Sequence, residues 1–446
     1  MTSARNSRLL NFRLVLIDGS LMRLLTLRNP DGVSLPHESI RIGRRFAHAL
    51  TDAIRRRFDL HTMQLTVLPE SASATRCAVH EILHAQPQSR ATLSFEKLEN
   101  IPTSEITEEE REAVERIMKG QETTFGRFGR FGWIDDFMAR IGLDIDRNSI
   151  RHLNQGFDFC LMTFRDIRGA SFWFKAVGEP NLREYAITHL LVRRFPAFLP
   201  RIVTSVPEWS GWVAEHVEGM PLDMFLSLNG WTRVLKSLTA LQEEAAMSIS
   251  MIREAGATDC GCAHLKAALD PFIEQMQRAM HAQTSTAVAQ LSDDELDQMR
   301  AQLVAAITIL EDSGIPNSLL HRDIGHGNVI VSPTGAKFLD WAEAGIGHPF
   351  LSAEHLLASH ECIHPMGGSE RQVLRDFYAR LWNVHASTRQ IELATKSSPA
   401  VAALAYGIDT WESSATRSCP EHVWPFLRSI VRRTKRELEA VSGSLA

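Results

Sequence analysis

The pattern of hydrophobic and polar residues divides the chain into a first part rich in strands and a later part rich in helices. Residues 13–17 and 64–68 are short apolar runs next to polar or turn-forming residues, a pattern typical of strands. From Ile40 to Phe58, apolar residues recur at steps of four, which predicts a helix. We expect residues 1–105 to form a small α/β domain.

A helix and a glycine-rich aromatic stretch follow this domain. Thr107 and Glu110 have the spacing of a capping box, so a helix is predicted from there to near Gly120. The stretch 125–133 intersperses arginine and glycine with aromatic residues. Because acidic segments flank its arginines, the stretch favours a packed connector over a nucleic-acid contact. We therefore expect residues 106–148 to be a helical linker.

Antiparallel strands are predicted from about residue 150. Three apolar segments are separated by short turns, and they span residues 150–154, 157–164 and 171–177. Such a pattern predicts three antiparallel strands. A helix follows Pro180, and residues 211–217 indicate a further buried strand. These elements would form a small sheet lobe over residues 149–221.

Helical periodicity dominates the chain beyond residue 222. After Ser292, which forms a capping box with Glu295, apolar residues recur at steps of three and four until Gly314. The expected fold class is therefore α+β, with a large helical lobe over residues 222–446.

Charge and composition exclude several classes of protein. The 446 residues carry 48 Lys and Arg against 53 Asp and Glu, the opposite of the overall balance of a nucleic-acid binder. The apolar run 303–310 is far shorter than the roughly 20 residues that span a bilayer. Six cysteines without paired Cys-x-x-Cys spacing favour a reducing cytoplasm. We expect a cytoplasmic protein without nucleic-acid or membrane partners.

The strongest chemical signal is a polar loop between apolar strands. Asp323 and Asn328 are five residues apart in a glycine-containing loop, and Asp340 follows another apolar strand. A tight hairpin would bring the three side chains together. Carboxylate and amide oxygens suit magnesium, which completes its shell with water and phosphate. Phosphoryl transfer needs such an ion and a carboxylate that orients the accepting hydroxyl, and Asp323 is left for that role.

A second signal is a lysine in an apolar strand. Lys175 lies near the end of the strand 171–177, where an ammonium group needs a carboxylate or phosphate partner. Glu184 follows nine residues later in the predicted helix and can hold it. An exposed salt bridge explains the same two residues.

The loop motif resembles that of the aminoglycoside phosphotransferase and choline kinase family, which has a bilobal protein-kinase-like fold. In that family His-x-Asp is followed by Asn and then by Asp-Trp or Asp-Phe. The corresponding residues here are His321, Asp323, Asn328 and the pair Asp340–Trp341. The resemblance covers about residues 130–360. It implies that Asp323 is the catalytic base, that Asn328 and Asp340 bind magnesium, and that His321 supports the loop.

The resemblance also implies a nucleotide site. Lys175 would contact the phosphates of ATP, with Glu184 as its ion-pair partner. The segment 215–219 is similar to the hinge that offers backbone groups to adenine, so Glu215 and Val217 are candidate nucleotide contacts. The expected activity is transfer of a phosphoryl group from ATP to a hydroxyl of a small molecule of aminoglycoside, amino-alcohol or sugar type, bound between the two lobes.

Two features depart from the protein kinases. No Gly-x-Gly-x-x-Gly lies between the first two strands of the sheet lobe, where only Gly156 occurs. After Asp340 the chain has no room for a long activation segment. Glu343 and Glu354 are candidates for binding a cationic acceptor, and the segment 360–368 is expected to line the acceptor side.

Two other functions stay open. A nucleotide-binding pseudoenzyme could use the kinase-like body as a scaffold, although the magnesium and base residues argue against it. The N-terminal domain resembles a degenerate Nudix module, but Arg55, Arg56 and Arg57 stand where its metal-binding helix would need glutamates. An unrelated accessory α+β domain explains residues 1–105 as well. Neither His-Glu-x-x-His nor a serine nucleophile elbow is found, so zinc and serine hydrolases are not supported.

Overall fold

The computed structural model describes residues 9–30, 32–41, 46–68, 75–85, 93–225, 227–363, 368–415 and 420–443. The contacts divide the chain into two compact units. One comprises residues 1–185 and 201–216, and the other comprises residues 186–200 and 217–446.

The first unit begins with a mixed sheet, which has seven strands among the described residues. They are β1 (Leu9–Asp18), β2 (Arg23–Asn29), β3 (Gly32–Ser34), β4 (His37–Arg41), β5 (Leu60–Val67), β6 (Thr75–Ala85) and β7 (Leu93–Glu96). The order is β3-β2-β1-β6-β5, with β4 paired to β1 and β7 to β2. Helix α1 (Phe46–Phe58) begins later than predicted, because Ile40 lies in β4 and pairs with Leu10.

The connector after this sheet is helical and packed. Helix α2 (Glu108–Met118) has the predicted capping box, in which the Glu110 N–H donates to Thr107 Oγ1 at 3.2 Å. Helix α3 (Trp133–Ile141) follows the glycine-rich stretch. The side chains of Phe128 and Trp133 are buried in one core with residues of both sheets of this unit. The aromatic residues thus serve as core residues.

The second sheet of this unit is antiparallel. Its strands are β8 (Ile145–Gly156), β9 (Phe159–Asp166), β10 (Ser171–Ala176), β11 (Ile202–Val206) and β12 (Gly211–Glu215), in the order β11-β12-β10-β9-β8. The three predicted strands and their turns are confirmed, whereas β11 was not predicted. Helix α4 (Arg183–Arg194) follows β10 and ends before Pro196, as the sequence indicated.

The second unit is mainly helical. Its helices are α5 (Leu228–Ala246), α6 (Ile249–Glu254), α7 (Cys262–His281), α8 (Asp293–Glu311), α9 (Phe350–Ile363), α10 (Gly368–Leu381), α11 (Thr388–Ala415) and α12 (Trp424–Gly443). The capping box of Ser292 and Glu295 is present at the start of α8. Within the described ranges, no helix is both long and apolar enough to cross a membrane.

Two small sheets carry the polar loop of this unit. Their strands are β13 (Met220–Pro221), β14 (Thr258–Asp259), β15 (Ser318–His321), β16 (Val329–Ser332), β17 (Gly335–Phe338) and β18 (Ala344–Gly347). One sheet has the order β13-β16-β17 and the other β14-β18-β15. The fold class is therefore α+β, with sheets in the first unit and mostly helices in the second.

Candidate active site

A tight hairpin closes the polar loop, as the sequence predicted. Strands β16 and β17 are antiparallel, with Val329 opposite Phe338. Just beyond this pair the Leu339 N–H donates to the Asn328 carbonyl at 2.8 Å. Asp340 is the next residue, so the hairpin brings Asp340 and Asn328 to the same end of the two strands.

The loop before the hairpin brings Asp323 to Asn328. The amide nitrogen Nδ2 of Asn328 donates to the Asp323 carbonyl at 2.9 Å and to its carboxylate Oδ2 at 3.2 Å. The Gly325 N–H also donates to the Asp323 carbonyl, at 2.8 Å. Because Nδ2 serves as the donor, the oxygen Oδ1 is the atom of the Asn328 side chain that can coordinate a cation.

Asp340 has an uncommon backbone conformation. Its φ of +64° lies in the left-handed region, which costs most non-glycine residues of order 1–3 kcal/mol and is better tolerated by aspartate and asparagine. Its side chain is exposed, as is that of Asp323. A strained residue next to a polar loop often marks a functional site.

His321 has the supporting role expected of it. Its ring is 2% exposed, and Nε2 lies 2.7 Å from the Leu339 carbonyl. The ring centroid is 4.5 Å from that of Trp341. His321 therefore connects the end of β15 to the residue before Asp340, which fixes two parts of the site relative to each other.

Sequence reasoning missed the part played by Arg322. Its Nε donates to the Glu343 carbonyl at 2.9 Å, and Nη1 pairs with Asp409 of α11. This mostly buried arginine thus connects the residue before Asp323 to the segment that follows Asp340 and to α11. Its position next to Asp323 is visible in the sequence, but Asp409 is 87 residues away and nothing in the pattern identifies it as the partner.

Lys175 and Glu184 form an ion pair within the first unit. Lys175 Nζ lies 2.5 Å from Glu184 Oε1, and the two side chains are 15% and 1% exposed. Lys175 Nζ is also 6.0 Å from the ring centroid of Trp212, which is the residue opposite Lys175 on the adjacent strand β12. The pair is therefore a buried one, and the alternative of an exposed salt bridge is wrong.

Glu215, one of the two residues expected to contact adenine, interacts with Arg201. The Glu215 N–H donates to the Arg201 carbonyl at 2.9 Å, and its carboxylate pairs with the Arg201 guanidinium. Hydrogen bonding to that guanidinium lowers the pKa of the Glu215 carboxyl. Both groups thus have partners within the first unit. Val217 lies beyond β12 in irregular backbone, where the second of the two segments of the second unit begins.

The expectation that Glu354 binds a cationic acceptor is wrong. Glu354 is 3% exposed, and its carboxylate accepts from Arg375 Nε at 2.6 Å and Nη2 at 2.8 Å. Arg371 Nη2 adds a third contact at 3.3 Å. Two arginines neutralise this buried carboxylate, so it holds helices α9 and α10 together. Residues 364–367 of the predicted acceptor segment lie outside the described residues.

The oxygen donors of the loop fit magnesium better than a metal that prefers thiolate or imidazole ligands. No group of three or more His, Cys, Asp or Glu side chains suited to a metal occurs in the described part of the chain. Magnesium does not require such a cage, because one or two protein oxygens suffice when water and phosphate complete its shell. Asp340 and the Oδ1 atom of Asn328 are oxygen donors of this kind.

Comparison with known proteins gives a family match. Residues 182–351 match the model described as the phosphotransferase enzyme family. A search of curated proteins returned no match.

Several solved structures are similar in part. The macrolide 2'-phosphotransferase MphH from Brachybacterium faecium is 16% identical with a TM-score of 0.46, over 65% of this chain and 94% of that one. An ethanolamine kinase from Plasmodium vivax is 12% identical with a TM-score of 0.43, over 67% and 82%. The choline kinase LicA from Streptococcus pneumoniae is 14% identical with a TM-score of 0.39, over 64% and 89%.

The matched range includes Glu184 and the whole polar loop, whereas Lys175 lies just before it. Residues 182–351, with Asp323, Asn328 and Asp340 among them, therefore carry the sequence pattern of the phosphotransferase enzyme family.

Proposed function

We propose that the protein is an ATP- and magnesium-dependent phosphotransferase that transfers the γ-phosphoryl group to a hydroxyl of a small molecule. The observation that carries this proposal is the closed hairpin. The Leu339–Asn328 hydrogen bond brings Asp340 to the end of the strands at which Asn328 contacts Asp323. The match of residues 182–351 to a phosphotransferase family supports the same reaction class.

Asp323 is the candidate catalytic base. Asp323 is exposed, and its carboxylate accepts a hydrogen bond from the Asn328 amide at 3.2 Å, which orients it. A carboxylate in this position can accept the proton of the attacking hydroxyl. The oriented carboxylate would also align the hydroxyl oxygen with the phosphorus atom that it attacks.

Asn328 and Asp340 are the candidate magnesium ligands. Bound magnesium supplies charge neutralisation of the phosphates. The Leu339–Asn328 hydrogen bond sets the separation of the two ligand residues, and His321 fixes the carbonyl just before Asp340. The left-handed backbone of Asp340 turns the chain at this point. The site is thus organised by the fold.

Lys175 is the candidate phosphate-binding cation. A lysine that is 15% exposed needs a partner for its charge, and Glu184 provides one at 2.5 Å. An ammonium group held in this way is positioned in advance, so binding of a phosphate requires little reordering of the side chain. Glu184 would therefore act by holding Lys175.

We propose an acceptor of aminoglycoside, amino-alcohol or sugar type. A hydroxyl is the group that a carboxylate base such as Asp323 would activate. Since the charge of Glu354 is neutralised by Arg371 and Arg375, that residue gives no reason to favour a cationic acceptor.

The test is acceptor-dependent turnover of ATP. Purified protein is mixed with Mg-ATP and a panel of aminoglycosides, amino alcohols, sugars and nucleosides, and ADP formation is measured with and without each acceptor. The proposal predicts ADP formation that requires an acceptor and falls roughly 10²- to 10⁴-fold in Asp323→Asn. Tight ATP binding without turnover on any acceptor would instead indicate a nucleotide-binding scaffold. Hydrolysis of nucleoside diphosphate derivatives that survives Asp340→Ala would indicate a Nudix-type hydrolase.

A further inference from the structure

The turn between β8 and β9 is bonded to the glycine-rich connector. The backbone N–H and the Nε of Arg127 donate to Asp158 Oδ1 at 3.1 and 3.0 Å. In the other direction, the Asp158 N–H donates to the Phe125 carbonyl at 3.2 Å. The side chain of Gln155 donates to the Phe128 carbonyl at 2.7 Å. We call residues 125–128, with these bonds to Gln155 and Asp158, the connector brace.

Two glycines allow the backbone to approach the turn this closely. Gly126 has a φ of +63°, and a Cβ atom there would lie 2.4 Å from Asp158 Oδ1. On the other side of the turn, a Cβ atom at Gly178 would lie 2.3 Å from the Phe157 carbonyl oxygen. Both distances are too short for real atoms. The turn is thus packed between the connector and the residues that follow β10.

The connector brace is itself fixed in the core of the first unit. The ring of Phe128 is fully buried. It makes edge-to-face contacts with Trp133 and Trp209, at centroid distances of 5.1 and 5.7 Å. Arg127 also donates through Nη1 to the Glu208 carbonyl. A segment held by buried aromatic rings and charged hydrogen bonds provides a rigid support.

The braced turn lies at the end of the sheet that carries Lys175. In the register of β9 and β10, Lys175 is opposite Leu161 and Ala176 is opposite Cys160. The turn follows directly beyond Cys160, and Phe157 contacts Gly178, three residues after Lys175. Protein kinases cover the phosphates of ATP at this place with a glycine-rich loop. In this chain the turn itself has no glycine, and Gly156 is the last residue of β8.

We propose that the connector brace holds the β8–β9 turn in place as the element that covers the nucleotide phosphates. Arg127 and Asp158 are then positioning residues for phosphate binding, and the N-terminal extension has a part in nucleotide affinity. This inference rests on the proposed function. A flexible loop loses conformational freedom when it closes on a ligand, whereas a braced turn is ordered beforehand and loses little.

The experiment compares the affinity for Mg-ATP with that for adenosine in the full-length chain. Arg127→Ala and Asp158→Asn each remove the ion pair, and asparagine tolerates the left-handed φ of +49° at position 158. Arg130→Ala is the matched control, because Arg130 lies in the same stretch and pairs with Asp136. Dissociation constants for both ligands are measured by titration calorimetry.

We expect variants of the connector brace to lose affinity for the phosphates selectively. Arg127→Ala and Asp158→Asn should weaken Mg-ATP binding roughly tenfold and leave adenosine binding unchanged, and the double variant should add little. Arg127→Lys should recover only part of the loss, because lysine lacks the forked geometry of arginine.

Different failures have different meanings. If Arg127→Ala binds Mg-ATP as tightly as the unsubstituted protein and the Arg130→Ala control, this inference is overturned and the proposed function stands. Equal weakening of Mg-ATP and adenosine also overturns it, because the ion pair would then only stabilise the fold. If the unsubstituted protein binds no Mg-ATP, the proposed function fails and this inference fails with it.

Discussion

In the second unit, the carboxylate of Glu354 has different surroundings from those of Asp323 and Asp340. Glu354 is buried and fully engaged by the guanidinium groups of Arg371 and Arg375. Asp323 and Asp340 are exposed, and the Asp323 carboxylate accepts a hydrogen bond from the Asn328 amide. Glu354 joins helices α9 and α10, whereas Asp323 and Asp340 lie outside helices and strands, where they could receive a ligand.

The comparison shows why acidity alone does not identify a binding residue. A buried carboxylate requires compensating charge, and the cation that compensates it also prevents it from binding another. An exposed carboxylate on a loop fixed by backbone hydrogen bonds keeps its position and can exchange water for a ligand. We therefore expect substitution of Glu354 to change stability and substitution of Asp323 or Asp340 to change activity.

The largest effect is expected for Glu354→Ala. This change removes the carboxylate that Arg371 and Arg375 share, although Arg371 keeps its contact with Glu437 at 3.5 Å. Breaking a buried pair costs about 3–5 kcal/mol. Thermal and urea unfolding measure the loss. Glu439→Ala is the control, because Glu439 pairs with Lys435 on the surface and should contribute less than about 1 kcal/mol. Equal stability of the two variants would contradict the distinction between buried and exposed carboxylates.

The next effect concerns Asp340. Asp340→Asn removes the charge but tolerates a φ of +64°, so the fold should remain stable while phosphotransfer falls by roughly 10² or more. Asp340→Ala should lose activity and also about 1 kcal/mol of stability, because alanine disfavours this conformation. Turnover at saturating Mg-ATP and the melting temperature are measured for both. An active Asp340→Asn variant would remove Asp340 from the site.

A smaller effect is expected from pH, through two buried histidines of the first unit. Burial lowers the pKa of both His80 and His152 to about 3. The unfolded chain therefore binds protons below about pH 6.5 that the folded chain does not, so stability falls as pH decreases from there towards 3. At pH 5 the loss is about 2 kcal/mol for each histidine.

Urea unfolding at pH 7.5, 6 and 5 tests this prediction. His80→Leu removes one of the titrating groups and should reduce the dependence of the unfolding free energy on pH. An unchanged dependence would show that His80 does not contribute to acid unfolding.

The smallest effect is expected for Asn328→Asp. The substitution keeps an oxygen ligand but replaces the amide that donates to the Asp323 carboxylate with a second carboxylate. We expect roughly tenfold lower turnover and an acidic limb of the pH–rate profile at higher pH, since neighbouring carboxylates raise each other's pKa. A profile identical to that of the unsubstituted protein would show that Asn328 does not orient Asp323.

The sequence was sufficient for features that depend on neighbouring residues. The three strands up to Ala176, the capping boxes and the hairpin that closes on Asn328 all follow from local periodicity and turn chemistry. Within the site, the contact of Asn328 with Asp323 and the pairing of Lys175 with Glu184 span only five and nine residues.

The features that the sequence did not indicate depend on distant partners. Strand β14, for example, meets β18 from more than 80 residues away. The roles of Glu354 and Arg322 are set by arginine and aspartate residues on later helices. Burial and charge compensation arise from tertiary packing, so a local pattern cannot distinguish a structural carboxylate from one that binds a ligand.

Binding of manganese in the presence of ATP tests the central claim most directly. Manganese replaces magnesium at oxygen sites, and its electron paramagnetic resonance spectrum reports the bound fraction. We predict a saturable Mn-ATP complex with the unsubstituted protein that is weakened roughly tenfold or more in Asp340→Asn and unaffected in Glu439→Ala. Equal Mn-ATP binding by the unsubstituted protein and Asp340→Asn would contradict the assignment of the polar loop as the phosphotransfer site.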